Sequence, residues 1–361
     1  MTSILYCHTS AEGGAELAAP ALAAELGSEL WIRGDGRIAE LARDRGVAVT
    51  ILKRATDSRT RSIVKYIFAV AELARLQVSM IVKLRSEQPA VVVSNTIQGL
   101  LHLAIPAVIT RTPLVAYVRD LGNGGNRPSF EVNVFRALLK LTVGVIYNSE
   151  LTRSSWRVDR PHRVSATAVA PQFYDLWRGD NANEVLMVGR VTPWKGQANV
   201  VRALNSLGNP DLSLRLVGGA LFGDAGALPP ASFTIHSEGH VSEPWTYFTS
   251  SGLLVHASQT PEPFGQVLAQ AAAAGIPIVC ASVGGHTEWL KDAHNCVYAD
   301  ATRPEAIASA ISKLLSDPTA ARLRSQRARA AAETFREDRA YIGLDQWLAD
   351  LVSMNPARTT P

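Results

Sequence analysis

The chain has 361 residues, 47% of them hydrophobic and 19% charged, with 26 glycines and 19 prolines dispersed along it. At about 150 residues per domain this predicts two globular domains and excludes a disordered, collagen-like or repeat-built protein. The net charge is +4, but the first 170 residues hold 21 Lys+Arg against 14 Asp+Glu, an asymmetry that fits either an anionic partner, such as a phosphorylated acceptor, a lipid headgroup or nucleic acid, or simply an Arg-rich soluble surface.

Short β-branched runs alternate with helical stretches almost from end to end. Strands are predicted at residues 4–7, 29–32, 47–52, 90–94, 114–118 and 143–147, each followed by a longer amphipathic or apolar segment, the pattern of a parallel sheet covered on both faces. Met1 to Tyr6 leads into the first strand without the basic start of a signal peptide, so a cytoplasmic location is expected. The first strand-to-helix turn reads Glu12-Gly13-Gly14-Ala15-Glu16. Its glycines allow close backbone approach to a ligand, or simply a tight turn. Residues 59–85 form a long helical stretch in which Arg59, Arg61, Lys65, Arg75, Lys83 and Arg85 alternate with apolar residues. Such a helix either lies on an anionic membrane or flanks a sheet. The fifth strand ends in Tyr117-Val118-Arg119-Asp120.

After a proline-containing stretch at 168–180 the pattern restarts, with strands predicted at 184–188, 212–217, 233–237, 252–256, 276–280 and 295–298. The expected organisation is a first α/β domain over residues 1–170, a second over 171–334, and a C-terminal piece over 335–361. Ser242 before Pro244, Thr302 before Pro304 and Asp317 before Pro318 are predicted helix caps. Residues 335–352 read as one amphipathic helix with Tyr341, Leu344, Trp347, Leu348 and Leu351 on its apolar stripe, expected to pack on the first domain before a loose tail. Cys7, Cys280 and Cys296 are too scattered for a disulfide scaffold or a zinc knuckle, and no apolar run reaches the about 20 residues of a spanning helix.

Three stretches carry chemistry. In Thr260-Pro261-Glu262-Pro263-Phe264-Gly265-Gln266 a strand ends, a proline-rich loop turns, and a helix is predicted to begin near Pro263 with Gly265 in its first turn. The free N–H groups there suit a pyrophosphate. Gln270 lies eight residues beyond Glu262, about 12 Å along a helix axis, so the two side chains suit the sugar and ribose ends of a nucleotide sugar; Glu262 alone would equally be a cap. In Val188-Gly189-Arg190-Val191-Thr192-Pro193-Trp194-Lys195-Gly196, Arg190 and Lys195 follow the first strand of the second half, where α/β sheets bind ligands, and suit a diphosphate leaving group. The pair Gly13 and Gly14 is the third.

Taken in order, these elements resemble the retaining GT-B glycosyltransferases of the family 4 type, the glycosyl transferases group 1. The resemblance is densest from Val185 to Leu315 and includes 248–258 before the glutamate loop and Val283-Gly284-Gly285 with Glu288. It implies an α/β GT-B fold of two doubly wound Rossmann-like domains facing each other across a cleft. A nucleotide diphosphate sugar is then the donor, held by the second domain, and a saccharide, lipid-linked or small-molecule acceptor is held by the first. Arg190 and Lys195 match the family's diphosphate pair and Glu262 the first glutamate of its E-x7-E motif. These three are the expected catalytic residues. Gly13, Gly14, Gly189, Pro263, Phe264, Gly265 and Gln270 are the expected donor contacts. Gln270 stands where the family has its second glutamate, an uncharged replacement. Arg119 stands where many members have a histidine, and is either a sugar or acceptor contact or an ion-pair partner of Asp120.

The chain contains no Asp-x-Asp, so the expected transfer needs no metal and no other cofactor, with helix N-termini and the two cations stabilising the departing charge. The resemblance implies retention. The sequence offers no dedicated base, which suits front-face attack with the departing phosphate taking the acceptor proton. Closure around 168–180 would exclude water. A nucleotide-sugar isomerase of the same fold and a non-catalytic nucleotide-sugar binding protein are the alternatives. A nicotinamide oxidoreductase is disfavoured because the first turn lacks G-x-G-x-x-G. Peripheral contact with an anionic membrane is an open expectation, and a nucleic-acid partner is not expected.

Overall fold

The computed structural model describes residues 2–53, 63–123, 128–175, 183–219 and 228–354, with side chains omitted over 63–69. The chain divides at Ala168/Val169 into two compact units, and the second ends at Arg336, after which the chain rejoins the first.

Unit 1 runs β1 (Ser3–Cys7), α1 (Gly14–Leu17), α2 (Ala19–Glu25), β2 (Glu29–Arg33), α3 (Arg37–Asp44), β3 (Val49–Leu52), α4 (Ile63–Glu87), β4 (Val91–Ser94), α5 (Gly99–Thr110), β5 (Leu114–Val118), α6 (Ser129–Leu139), β6 (Gly144–Tyr147), α7 (Glu150–Trp156) and β7 (His162–Val164). Its sheet has the order β3-β2-β1-β4-β5-β6-β7, every pair parallel. The period-two pleat divides each strand between two cores. Leu5 and Cys7 point to a layer that holds α2 and α3, whereas Ile4 and Tyr6 point to a layer formed by α4, α5 and α6. Because both faces are covered, β1, β4 and β5 are buried along their whole length, which explains their unbroken apolar runs.

Unit 2 runs β8 (Glu184–Val188), α8 (Gln197–Leu207), β9 (Ser213–Val217), β10 (Thr234–Gly239), α9 (Trp245–Ser250), β11 (Leu253–His256), α10 (Gln266–Ala274), β12 (Ile278–Ala281), β13 (Val297–Ala299), α11 (Pro304–Ser316) and α12 (Pro318–Ala332). Its parallel sheet has the order β10-β9-β8-β11-β12-β13. Val185, Met187, Val255 and Val279 pack with α8 and α11 on one face. In each unit the strand order reverses once, between β1 and β4 and between β8 and β11. Those reversals open a crevice at the carboxyl ends of the strands, the usual place for a ligand in such sheets.

The C-terminal segment departs from the single helix read from the sequence. It forms α13 (Glu337–Ala340) and α14 (Leu344–Ser353), separated at Gly343, whose φ of +69° turns the chain. The apolar stripe survives the break, with Tyr341, Leu344, Leu348 and Leu351 buried in the unit 1 core beside α2 and α3. Arg163 donates to the Gly343 carbonyl at 2.7 Å and Ser165 to that of Ala340 at 2.9 Å. Two of the three predicted caps also differ. Asp317 caps α12 by accepting from the Ala320 N–H at 2.9 Å, but α11 starts from Arg303, with no side-chain cap, and α9 from Pro244. Of the 168–180 stretch, 176–180 lie outside the described residues, as do Arg59, Arg61 and the side chain of Lys65.

Leu348, 1% exposed in the unit 1 core, sets a direct check on this packing. Leu348→Ala is expected to lower the unfolding free energy by about 2–5 kcal/mol, read from urea denaturation; a change within about 0.5 kcal/mol, the range of an ordinary surface site, would contradict the placement of α14.

Candidate functional site

At the β8/β11 reversal of unit 2 three loops converge. The first follows β8 through Gly189 and Arg190 to a single 3-10 turn, Pro193–Lys195. The second leaves β11 at His256, passes Ser258 and carries Glu262 into α10, and the third follows β12 through Gly284 and Gly285. The Gln259 N–H donates to the Trp194 carbonyl at 2.7 Å, tying the first two together, and the Gly285 N–H donates to the Glu262 carbonyl at 2.8 Å, anchoring the third.

Glu262 is the centre of this arrangement. Its Oε1 accepts from the Lys195 ammonium, from Ser258 Oγ at 2.9 Å, and faces His256 Nε2 at 3.3 Å. Lys195, Ser258 and His256 all meet the one oxygen, Oε1, which leaves Oε2 with acceptor capacity for a ligand. Burial alone would push the carboxyl pKa up. The His256 hydrogen bond and the Lys195 charge outweigh it and hold the group well below its ordinary 4.5, so Glu262 is ionised. Lys195 also lies 4.4 Å from the centroid of the Trp194 ring. With one of its three N–H groups directed at Glu262, its remaining donors are available to a second anion. His256 packs edge-on to His286, with ring centroids 6.0 Å apart. His286 is buried and donates through Nε2 to the Ala281 carbonyl at 2.8 Å; burial pushes its pKa down to about 4, so the ring is neutral.

The geometry revises two readings of the glutamate loop. The helix begins at Gln266 rather than near Pro263, with Gly265 as its N-cap at φ +86°, because a left-handed residue cannot belong to the first turn. Glu262 is in extended backbone bridged to Gly284, so helical rise does not set its distance from Gln270. Gln270 sits half-buried on α10. Phe264 is buried against Phe335 and Trp289, with ring centroids 5.0 and 6.1 Å away, so its side chain anchors the loop from within the unit. Arg190 is exposed, and its carbonyl accepts from Gln197 Nε2 at 2.9 Å.

In unit 1, Gly13 caps α1 and Gly14 opens it. A Cβ at Gly13 would lie 2.5 Å from Glu16 Oε2, so the space its hydrogen leaves is taken by the Glu16 side chain. Burial raises the pKa of that carboxyl. Arg119 is buried beneath the carboxyl ends of β4 and β5. Its Nη1 donates to the backbone carbonyl and the Oδ1 of Asn95, the latter at 2.8 Å, and the guanidinium lies 3.5 Å from the centroid of the Tyr117 ring. Among the described residues its Nε and Nη2 have no hydrogen-bond partner. The Asp120 carbonyl accepts from Trp156 Nε1 at 2.7 Å.

Sequence reasoning passed over His256 and Ser258, which share Oε1 with Lys195. The available signal was a histidine closing an otherwise apolar parallel strand, where the side chain meets the ligand end of the sheet. Among the described residues no group of three or more His, Cys, Asp or Glu side chains is placed to hold a metal ion.

Residues 175–334 match the family model described as Glycosyl transferases group 1. Two curated relatives are similar over part of the chain. Spore coat protein SA of Bacillus subtilis is 29% identical over 147 residues, covering 37% of this chain and 39% of that protein. The GDP-mannose-dependent alpha-(1-6)-phosphatidylinositol monomannoside mannosyltransferase of Mycolicibacterium smegmatis is 29% identical over 148 residues, with the same shares. The alignment thus spans well under half the length of each. Among solved structures, Anabaena HepE in complex with UDP-glucose superposes with a TM-score of 0.82 at 21% identity, covering 98% of this chain and 100% of that one. Sucrose-phosphate synthase from Thermosynechococcus elongatus gives 0.75 at 18% identity, covering 98% and 100%. The fold is therefore GT-B, two Rossmann-like α/β domains.

The ionised Glu262 makes stability depend on pH in one direction. With its folded pKa below the ordinary 4.5, its contribution is complete above that value and is lost as pH falls through the folded pKa. Glu262→Gln is expected to cost about 1–3 kcal/mol at pH 7, and the gap to the native chain should close on acidification below 4.5 in urea titrations. A gap that widens as pH falls would contradict the assignment.

Proposed function

We propose that the chain is a retaining glycosyltransferase of the family 4 type that moves a sugar from a nucleotide diphosphate sugar to a saccharide, lipid-linked or small-molecule acceptor without a metal ion. The observation that carries the reading is the Lys195–Glu262 pair at the β8/β11 reversal, a cation with donors to spare beside a carboxylate with one oxygen open. The family model matched over this unit, and the similarity to a structure crystallised with UDP-glucose and to a GDP-mannose-dependent enzyme, support a nucleotide sugar as the ligand.

In this reading Arg190 and Lys195 neutralise the diphosphate, helped by the N–H groups at the start of α10. Glu262 Oε2 accepts from a hydroxyl of the donor sugar, and Gln270 bonds the ribose. The acceptor hydroxyl attacks the anomeric carbon on the face from which the diphosphate leaves. The bond to the phosphate oxygen breaks as the new C–O bond forms, and the hydroxyl proton passes to that departing oxygen. Glu262, clamped through Oε1 by three donors, is a poor nucleophile and a good positioning group. The two cations meet charge that grows as the bond breaks, the kind of interaction that accelerates a reaction rather than merely binding the substrate. Arg119, whose Nε and Nη2 have no partner among the described residues, and Asp120 are assigned to a sugar or the acceptor.

A thermal-shift panel of UDP, GDP, ADP and dTDP with their sugars tests the reading. The matched donor at about 100 times its Kd adds about 2.7 kcal/mol of apparent stability; Lys195→Ala should abolish that response, and no response from any nucleotide would overturn the proposal. Once the donor is known, Glu262→Ala or Lys195→Ala is expected to slow transfer by about 10²-fold or more. Transfer rates should be unchanged by a chelator such as EDTA; a rate restored only by added divalent ion would remove the metal-independent step.

A further inference from the structure

Three neighbouring helices of unit 1 present apolar side chains on both sides. A helix packed on a sheet buries one stripe and shows water the opposite one, which is ordinarily polar. The inner stripes are as expected, with Met80 and Leu84 of α4, Leu103 and Ala107 of α5, and Phe135 and Leu139 of α6 buried against the sheet. The outer stripes are also apolar. Val78 and Val82 stand one turn apart on α4, as do Phe130 and Val134 on α6, and Val108 and Ile109 face outward from α5; their exposure runs from 42% at Val134 to 69% at Phe130. Of the fifteen large apolar side chains exposed among the described residues, eight lie on these three helices, so the exposure is concentrated rather than the usual scatter. The stripes adjoin, since α5 packs against both neighbours and Gln77 of α4 donates to the Leu101 carbonyl of α5 at 2.7 Å.

The charges around this face are mostly basic. Among the described residues Arg75, Arg85, Arg111 and Lys140 are exposed on the helices or at their ends, against one exposed acid, Glu87, which pairs with Lys83 at 3.7 Å, and Glu131 of α6 is half-buried. Glu72 is half-buried and lies 4.0 Å from Arg33. A second copy docked about a two-fold axis would set this basic rim against itself. An anionic lipid surface complements it, with apolar side chains reaching the acyl boundary and Arg and Lys heads among the phosphates.

We propose that the α4–α5–α6 face seats unit 1 on a bilayer rich in anionic lipid. The inference concerns unit 1 alone and stands apart from the reaction assigned to unit 2. Among the described residues no helix is long and apolar enough to cross a membrane; the contact proposed is interfacial.

The test is flotation of the full chain with vesicles of phosphatidylcholine alone or mixed with phosphatidylglycerol, at low and high salt. The native chain should float with the mixed vesicles at least about 10-fold more than with neutral ones, since each cation near the surface adds about 1 kcal/mol, and high salt should reduce the difference. Val82→Asp with Phe130→Asp, both at exposed positions, should abolish flotation while leaving the urea midpoint unchanged. Separately, Arg85→Glu with Arg111→Glu should remove the preference for phosphatidylglycerol. Failure of the native chain to float, or flotation untouched by Val82→Asp with Phe130→Asp, would overturn the proposal. So would a native dimer that the same aspartates convert to monomer without any lipid binding, which would make the face a contact between copies.

Discussion

A carboxylate that stays ionised while largely buried needs donors close at hand, and Glu262 draws them from its own loop and from one 67 residues earlier in the chain. Lys195 follows β8, His256 and Ser258 follow β11, and all three meet Oε1. This convergence fixes the glutamate loop against the sheet, keeps one oxygen open, and places a cation beside it with donors to spare. A neutral side chain at 262 would leave Lys195 without its counter-charge in a site only 13% exposed, where an unmatched charge is costly.

The sheet order makes the convergence possible. Because β8 and β11 are neighbours whose following loops diverge to opposite sides, the crevice between them is lined by chain from both, and the first turn of α10, whose N–H groups the helix itself does not use, lies at the end of the β11 loop. The same rule places Asn95, Arg119 and Glu16 together in unit 1, where β1, β4 and β5 end. There the polar groups are buried, with Asn95 holding Arg119 and Glu16 filling the space over Gly13. The two reversals thus differ in character, one presenting an open carboxylate oxygen and a cation, the other a buried guanidinium with two nitrogens unpaired among the described residues.

The layered fold was legible because buried parallel strands leave a plain mark, such as Val91-Val92-Val93 in β4. His162–Val164 escaped notice, being three residues long, mostly polar and at the sheet edge, where nothing forces an apolar run. The break at Gly343 was hidden because Tyr341, Leu344, Leu348 and Leu351 keep their spacing across it, and spacing does not register a single residue at positive φ. At the site, residue type picked out Lys195 and Glu262 separately, as ligands for different parts of a substrate. That they contact each other, and that His256 and Ser258 complete the cluster, depends on loops 67 residues apart meeting over a sheet. Phe264 shows the converse, since its place in a distinctive motif suggested ligand contact and the structure gives it a buried aromatic neighbourhood.

The account rests on where an activated sugar sits, and a crystal soaked with the nucleotide sugar that stabilises the chain most strongly tests it directly. It predicts diphosphate density against Lys195 and Arg190, with a sugar hydroxyl within hydrogen-bonding distance, about 2.6–3.2 Å, of Glu262 Oε2. Density elsewhere on the molecule, with the β8/β11 crevice filled by protein, would contradict it.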